Sequence, residues 1–476
     1  MHLAIVATLF ASFPQPEPPT RQPVLAIEHV NVIPMDRERV LENRTVLVRG
    51  DKIDSLDATQ IPAGAQRVDG RGKWLVPGFA DMHTHFLSDE SLAEEYVEAE
   101  LEVILMNGVT AMRNPIGKPS HLELRERVEK RELDGPQLWI GSPQLCGKAY
   151  PGVFLGRELK TVEEARQAVR DFKSEGYDFL KLTDGLSLEV FEALHDEASK
   201  REIKVFGHIG ANVPLAAAMK VGQQLEHLDG WLERLLPEDA PMRESVSGSN
   251  VWRARFWESV DHLDAGRIEP LAREAVAAGM WNTPTLAFFD FAFGRVRREE
   301  ELRTTPEWNF LSDEVRKWNT RGIPAFLKML PSAERRAKYI SLRKQIVKAL
   351  HAAGGKLMAG SDSPEWLLLY GFALHRELES LVDAGLSPYA ALETATRNPH
   401  EWLGDLSQVG TIETGKRADL VLLRSNPLEN VIATRSIEAL VVRGKLIERA
   451  EIETRLEAAR VKLSSAPLRE RPPATK

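Results

Sequence analysis

The 476-residue chain places His83-Thr84-His85 at the end of an apolar run, Leu75 to Phe86. Residues one apart on a strand project from the same face, so these two imidazoles can grip one cation. Further side chains of metal-binding type stand where other short apolar runs end: Lys181, His208, His227 and Asp362. Neutral imidazoles and oxygen anions suit zinc and similar divalent ions, and two such cations together acidify a shared water. A lysine is the odd member, because an ammonium repels metal. Flanked by Phe179, Leu180 and Leu182, its charged form is disfavoured, and a neutral amine can add carbon dioxide to become an anionic carbamate. The alternative for Lys181 is a lysine inside the fold paired with an acid such as Asp184. A His-x-His on a strand is also often incidental, so the elements that carry these residues have to be considered.

Short apolar runs alternate with helical patterns from residue 75 onward, the pattern of parallel β/α units. Eight strands can be placed, centred on Leu75 to Phe86, Gly108 to Asn114, Gln137 to Gln144, Asp178 to Thr183, Lys204 to Ile209, Gln224 to Leu228, Trp281 to Leu286, and Lys356 to Asp362. Between them lie helices such as Thr161 to Glu175, which opens on a Thr161-x-x-Glu164 capping box, Leu188 to Arg201 and Ser332 to Ala353. Eight units predict a (β/α)8 TIM barrel, whose active sites sit at the C-terminal ends of the strands. His83 and His85, Lys181, His208, His227 and Asp362 fall at the ends of strands one, four, five, six and eight. Residues 24–75 and the stretch from Gly410 to Ile447 read instead as short strands and turns. Neither set can bury a core alone, so the two are paired into a composite β-sandwich.

The expected domains are therefore 1–23, a signal peptide with a Pro-rich linker; 24–75 with 405–449, the composite β domain; 76–404, the barrel; and 450–476, a C-terminal helix and tail. Leu3 to Ala11 is apolar and short like a signal-peptide core, but His2 gives a poor basic start and no clean cleavage site follows. The reading is a periplasmic or secreted protein, and the alternative is a cytoplasmic one with a frayed apolar arm. A net charge of −8 gives no basic footprint for nucleic acid, and no segment suggests a membrane surface, so a small-molecule substrate is expected. Cys146 is the single cysteine, which excludes an intrachain disulfide and any cysteine-based zinc site.

The motifs Pro77-Gly78-Phe79-Ala80-Asp81-Met82-His83-Thr84-His85, Gly108-Val109-Thr110, Asp178-Phe179-Leu180-Lys181, Gly207-His208, Glu226-His227-Leu228-Asp229-Gly230, Gly360-Ser361-Asp362 and Gly415-Lys416-Arg417-Ala418-Asp419-Leu420-Val421 occur in this order. In them the sequence resembles the amidohydrolase superfamily, in its imidazolonepropionase-like and prolidase-like branch. The resemblance implies a binuclear metal centre with two divalent ions, zinc by preference. It puts one ion on His83, His85 and Asp362 and the other on His208 and His227, with a carbamylated Lys181 and a hydroxide bridging both. Asp362 would also be the general base, relaying a proton from that hydroxide to the leaving nitrogen. The family further implies a homo-oligomer.

Two positions depart from the family pattern. Many relatives carry Arg-Asp where this chain has Arg113-Asn114, and deaminases and imidazolonepropionase proper carry a glutamate where it has Ala211. The second departure, with Lys181 present, favours a binuclear hydrolase over mononuclear chemistry. Tyr150, in the loop after strand three, is placed to reach a substrate, with loop packing as its alternative. The loops 231–279 and 287–331 are rich in aromatics and arginines, among them Trp231, Trp252, Phe256, Trp257, Phe288, Phe289, Phe291, Phe293 and Trp308 with Arg253, Arg255, Arg295, Arg297 and Arg298. Such residues suit a lid over an apolar substrate with a carboxylate, or insertions packed on the rim. His375 is expected to pack rather than to act. The reaction expected is hydrolysis of an amide bond in a dipeptide or N-acyl amino acid. The alternatives are a cyclic amide, lactone or phosphate ester on the same centre, or an inactive binding relative.

Overall fold

The computed structural model describes residues 22–468, apart from 91, 149–155, 211, 241–253, 295–302, 318–319, 321–327, 329 and 366–367. Strand Val24–Val32 is the hub of a sheet built by both ends of the chain. It pairs antiparallel with Leu41–Arg49 on one edge, and parallel with Gln66–Asp69 and Trp74–Pro77 on the other. The register shifts between Ile27 and Val30, and His29 is left-handed there (φ 56°), so the strand bends and its two halves take different partners. Trp74–Pro77 in turn accepts Leu420–Leu423 from the far end of the chain, followed by Ile437–Val442 and Lys445–Glu448. Arg443 and Gly444, both at positive φ (48° and 81°), make the tight hairpin between the last two.

With Lys52–Ser55, which pairs antiparallel with Leu41–Arg49, these strands form one eight-stranded sheet. Period-two alternation gives it two apolar faces: Leu420, Leu422, Leu25 and Val30 enter a small core, while Val421, Leu423, Val76 and Leu440 join the main one. The sheet is thereby packed onto the rest of the molecule.

All eight expected parallel strands are present, each shorter than its apolar run. Phe79–Asp81, Val109–Asn114 and Gln137–Ile140 form one parallel set. Phe179–Leu182, Lys204–Gly207, Gln224–Glu226, Trp281–Thr283 and Lys356–Leu357 form another. Backbone bonds join the two sets at both ends. Asp178 N donates to Ile140 O (2.9 Å) and Ser142 N to Phe179 O (2.8 Å) at one junction, and Met82 N to Ala359 O (2.9 Å) and Asp362 N to His83 O (2.7 Å) at the other.

One expectation needs correction. The run Leu75 to Phe86 is not a single strand but two, Trp74–Pro77 in the composite sheet and Phe79–Asp81 in the parallel set. The break falls at Gly78, where a Cβ would lie 2.1 Å from Thr110 Oγ1. Only a residue without a side chain lets the chain cross from one sheet to the other at that spacing.

Helices fill the connections. Val162–Glu175 starts on the expected box, with Thr161 Oγ1 accepting from Glu164 N and the Glu164 carboxylate accepting from Thr161 N, and it stops at left-handed Gly176. Its Ala165, Ala168, Val169 and Phe172 are buried at helical spacing. The C-terminal helix Arg449–Ser464 lies against Val97–Met106. Among the described residues no helix is long and apolar enough to cross a membrane.

Gly78→Ala should lower unfolding stability by about 1–3 kcal/mol through overpacking against Thr110, read from urea titrations beside the parent chain.

Candidate metal centre

The first and eighth parallel strands are joined by one carboxylate. Asp81 accepts from His83 N (3.2 Å) and Ser361 N (3.0 Å) through Oδ1, and from Ser361 Oγ (2.6 Å) through Oδ2. Burial pushes its carboxyl up to about 6, although these donors favour the anion. Ser361 Oγ continues to Ser363 Oγ (2.9 Å) and on to Thr84 Oγ1 (2.8 Å). Gly360 permits the approach, since a Cβ there would stand 2.7 Å from that of His83.

The joint sets Asp362 beside the His-x-His pair. Asp362 Oδ1 lies 3.3 Å from His83 Nε2 and 3.5 Å from His85 Nε2, and these three residues can present ligand atoms all within 4.8 Å of one another. His227 approaches from the sixth strand, its Nδ1 3.7 Å from Asp362 Oδ2 and its ring 4.7 Å from that of His83. His208 stacks on His227 at 4.9 Å. Burial works against the Asp362 anion, yet His83 and His227 hold it well below the usual carboxylate range. A buried anion among imidazoles is the donor set a divalent cation satisfies, so the residues present fit a metal.

Lys181 is 1% exposed on strand Phe179–Leu182, its Nζ 5.2 Å from the Phe206 ring centre. Among the described residues no carboxylate forms a salt bridge with it, while Glu226, Asp362 and Asp229 attract its charge from farther off. Burial pulls its pKa down to about 8, which makes the neutral amine accessible. Gly207 leaves room for its stem, because a Cβ there would come within 3.1 Å of Lys181 Cδ.

Several of these residues are strained. His227, Leu228, Thr285 and Asp362 all have positive φ, at 58°, 54°, 48° and 52°. Such backbone costs of order 1–3 kcal/mol per residue and persists only where neighbours over-determine it. Arg343, 3% exposed on helix Ala333–Ala352, donates to His227 O (2.5 Å) with its guanidinium 3.3 Å from the Phe289 ring centre. Glu377 accepts the backbone N–H groups of Leu286 (3.0 Å) and Ala287 (2.6 Å), just past Thr285.

Around the imidazoles stand partners to which the sequence reading gave no role. The Glu226 carboxylate accepts from His83 Nδ1 with one oxygen and from Arg113 with the other, and both Glu226 and Arg113 are 0% exposed. Asp229 Oδ2 is 2.8 Å from His208 Nδ1, and Thr285 Oγ1 is 2.8 Å from His227 Nδ1. The signal available was charge inside strands that must be buried: Arg113 and Glu226 lie in fully buried segments, and such charges demand each other.

His375 packs, hydrogen-bonded between Thr434 Oγ1 and Asn107 O and edge-on to Phe79. His121, His195 and His400 are bonded to Asn114, Gln223 and Asp405. Trp231, Phe256, Trp257, Phe288, Phe289, Phe293 and Trp308 are buried in the main core, which matches insertions packed on the rim, and the Phe289 ring stands 6.3 Å from His227. Tyr150, Ala211, Trp252, Arg253, Arg295, Arg297, Arg298 and the Arg255 side chain lie outside the described residues.

The amidohydrolase family model matches residues 74–447. The chain belongs to the amidohydrolase family. It is a hydrolase acting on carbon–nitrogen bonds. An imidazolonepropionase from Geobacillus sp. (strain WCH70) is 22% identical over 82% of this chain and 85% of its own. Among solved structures, bottromycin amidohydrolase has a TM-score of 0.67 at 23% identity, over 93% of this chain and 91% of that one. A putative prolidase from Bifidobacterium longum has a TM-score of 0.63 at 22% identity, over 92% and 99%. Likeness at these identities shows a shared fold.

A pH dependence follows for this amidohydrolase. Between about 8 and 10.5 the unfolded chain holds the Lys181 proton and the folded chain does not, so stability rises with pH across that window and the contribution is lost as pH falls to about 8. Denaturant unfolding of metal-free protein in carbon dioxide-free buffer should show this rise, on the order of 2–3 kcal/mol, in the parent and not in Lys181→Met.

Proposed function

We propose that this amidohydrolase is a binuclear metal-dependent enzyme that hydrolyses an amide bond of a small substrate, a dipeptide or an N-acyl amino acid. The observation that carries the reading is the convergence of His83, His85 and Asp362 within 4.8 Å, with His227 against the same carboxylate. His83, His85 and Asp362 would hold one cation and His208 and His227 the other, with Lys181 between them as a carbamate. When bound, a pair of divalent cations, zinc by the donor chemistry, supplies Lewis acidity toward the scissile carbonyl and lowers the pKa of water.

The chain's own residues do the rest. Asp362 takes the proton of the attacking water on its carboxylate and returns it to the leaving nitrogen. Phe289, beside His227, keeps bulk water off that side, which strengthens every charge interaction within. No side-chain nucleophile is needed, in keeping with the lack of a serine or cysteine motif in the sequence.

The scaffold in this proposal is a (β/α)8 barrel over 76–404, its ring closed by the junctions at Asp178 and Asp362. A composite β-sandwich from 24–75 and 405–449 rides on it, divided at the bend in Val24–Val32, and the helix Arg449–Ser464 follows.

Elemental analysis of protein prepared with zinc and bicarbonate should find about two ions per chain, falling sharply in Lys181→Ala. One ion, unchanged in that variant, would overturn the bridged centre and return mononuclear chemistry. On whichever dipeptide or N-acyl amino acid proves active in a substrate panel, Asp362→Asn should lower kcat by at least about 10²–10⁴.

A further inference from the structure

We propose that Glu226, anchored by Arg113, is a positioning residue for His83 that fixes the imidazole in the tautomer with its proton on Nδ1 and its lone pair on Nε2. The proposal rests on the metal-site reading above. A neutral imidazole carries one N–H, and the tautomer follows from what each nitrogen faces. At Nδ1, His83 meets a carboxylate, which only accepts. Nε2 also faces a carboxylate, Asp362 Oδ1, but at the longer distance of 3.3 Å, so the single proton of the neutral ring stays on Nδ1 and Nε2 is left bare toward Asp362 and the neighbouring His85, the place a cation would occupy.

The anchoring of Glu226 separates this contact from an incidental one. Its second oxygen is held by Arg113, whose Nε donates to Met82 O (2.6 Å) and whose Nη1 donates to Gln224 Oε1 (2.8 Å). Met82 directly precedes His83, and Gln224 lies two residues before Glu226 on the same strand. One guanidinium therefore references the carboxylate to both strands that it must span. Its faces are covered by Phe206 and Trp402, at 4.2 and 4.9 Å. Gln224 cannot turn away, because its Nε2 donates to Leu225 O (2.7 Å) and Thr283 Oγ1 (3.1 Å).

The other imidazoles are supported differently. His208 also has a carboxylate, Asp229, but its side chain is 28% exposed and water can compete there. His227 has a hydroxyl, which can donate or accept and fixes no tautomer. His83 alone of the three has a wholly buried, charge-anchored acceptor. Buried ion pairs are poor sources of net stability, so this pair is better explained by what it holds in place.

The test is made on full-length protein, first metal-free. In the ¹⁵N spectrum at pH 9, the His83 ring, assigned by difference from His83→Gln, should show a protonated Nδ1 and a bare Nε2. Zinc affinity is then measured by chelator competition in the parent and in Arg113→Met/Glu226→Gln, which removes both charges together and keeps an amide that can turn either way. The variant should show mixed tautomers and bind zinc about 10–100-fold more weakly. A neutral His83 ring with its proton on Nε2 in the parent overturns the proposal even if the variant does not fold. So does an unchanged affinity in a folded variant, whatever its stability. If the parent binds no zinc, the metal reading fails instead, and the metal-free spectrum still decides the tautomer.

Discussion

The structure depends most on the edge where the first parallel strand meets the eighth, and on the Asp81 carboxylate that occupies it. Without that joint the strands would still form a sheet, but His83 and Asp362 would have no fixed relation, because they are separated by nearly the whole parallel set. Asp81 accepts from both strands at once, and the serine and threonine hydroxyls beyond it extend the link to Thr84. Burying a carboxyl is costly unless its lone pairs are used, and here three donors use them. Proximity of the candidate ligands is thus a consequence of sheet closure.

A second constraint is charge inside an apolar interior. Met82, Phe179, Phe206, Met358 and Trp402 pack below the site, and Arg113 passes among them with its planar faces on Phe206 and Trp402. A guanidinium tolerates such a lining because its faces are weakly hydrated while its edges still hydrogen bond. Those edges meet a main-chain carbonyl, an amide and a carboxylate. Lys181 differs in kind, being buried without a salt bridge among the described residues, and it is the group whose chemistry allows another charge state.

A third is strain. Four residues around the imidazoles hold left-handed backbone, and three are tied down by groups from elsewhere: Asp362 by His83 O, His227 by Thr283 O and Arg343, and the turn after Thr285 by Glu377. Burial pushes the Glu377 carboxyl up to about 8 against the pull of the two backbone donors. The helices behind the seventh and eighth strands therefore do more than cover the sheet. They hold the loops that carry the site in conformations the loops would not keep alone.

Much of this was legible in the sequence because it is local. The spacing of His83 and His85 points to one shared partner, and although the strand ends at Asp81 both imidazoles reach Asp362 Oδ1, with His227 against the same carboxylate. The capping box at Thr161 was readable for the same reason, and the shared sheet because neither terminal set of strands can bury a core alone. What the sequence left open is non-local. Whether Leu75 to Phe86 is one strand or two depends on Thr110 crowding Gly78, and whether the aromatic loops close over a substrate or pack depends on what lies beneath them. Glu226, the partner of His83, is 143 residues away from it, and Arg113, which anchors that carboxylate, is 113 residues from Glu226. Residue type and spacing decide which way a side chain points. Only the neighbour relations of strands distant in the chain decide what it meets, and so which nitrogen, oxygen or amine is left free to act.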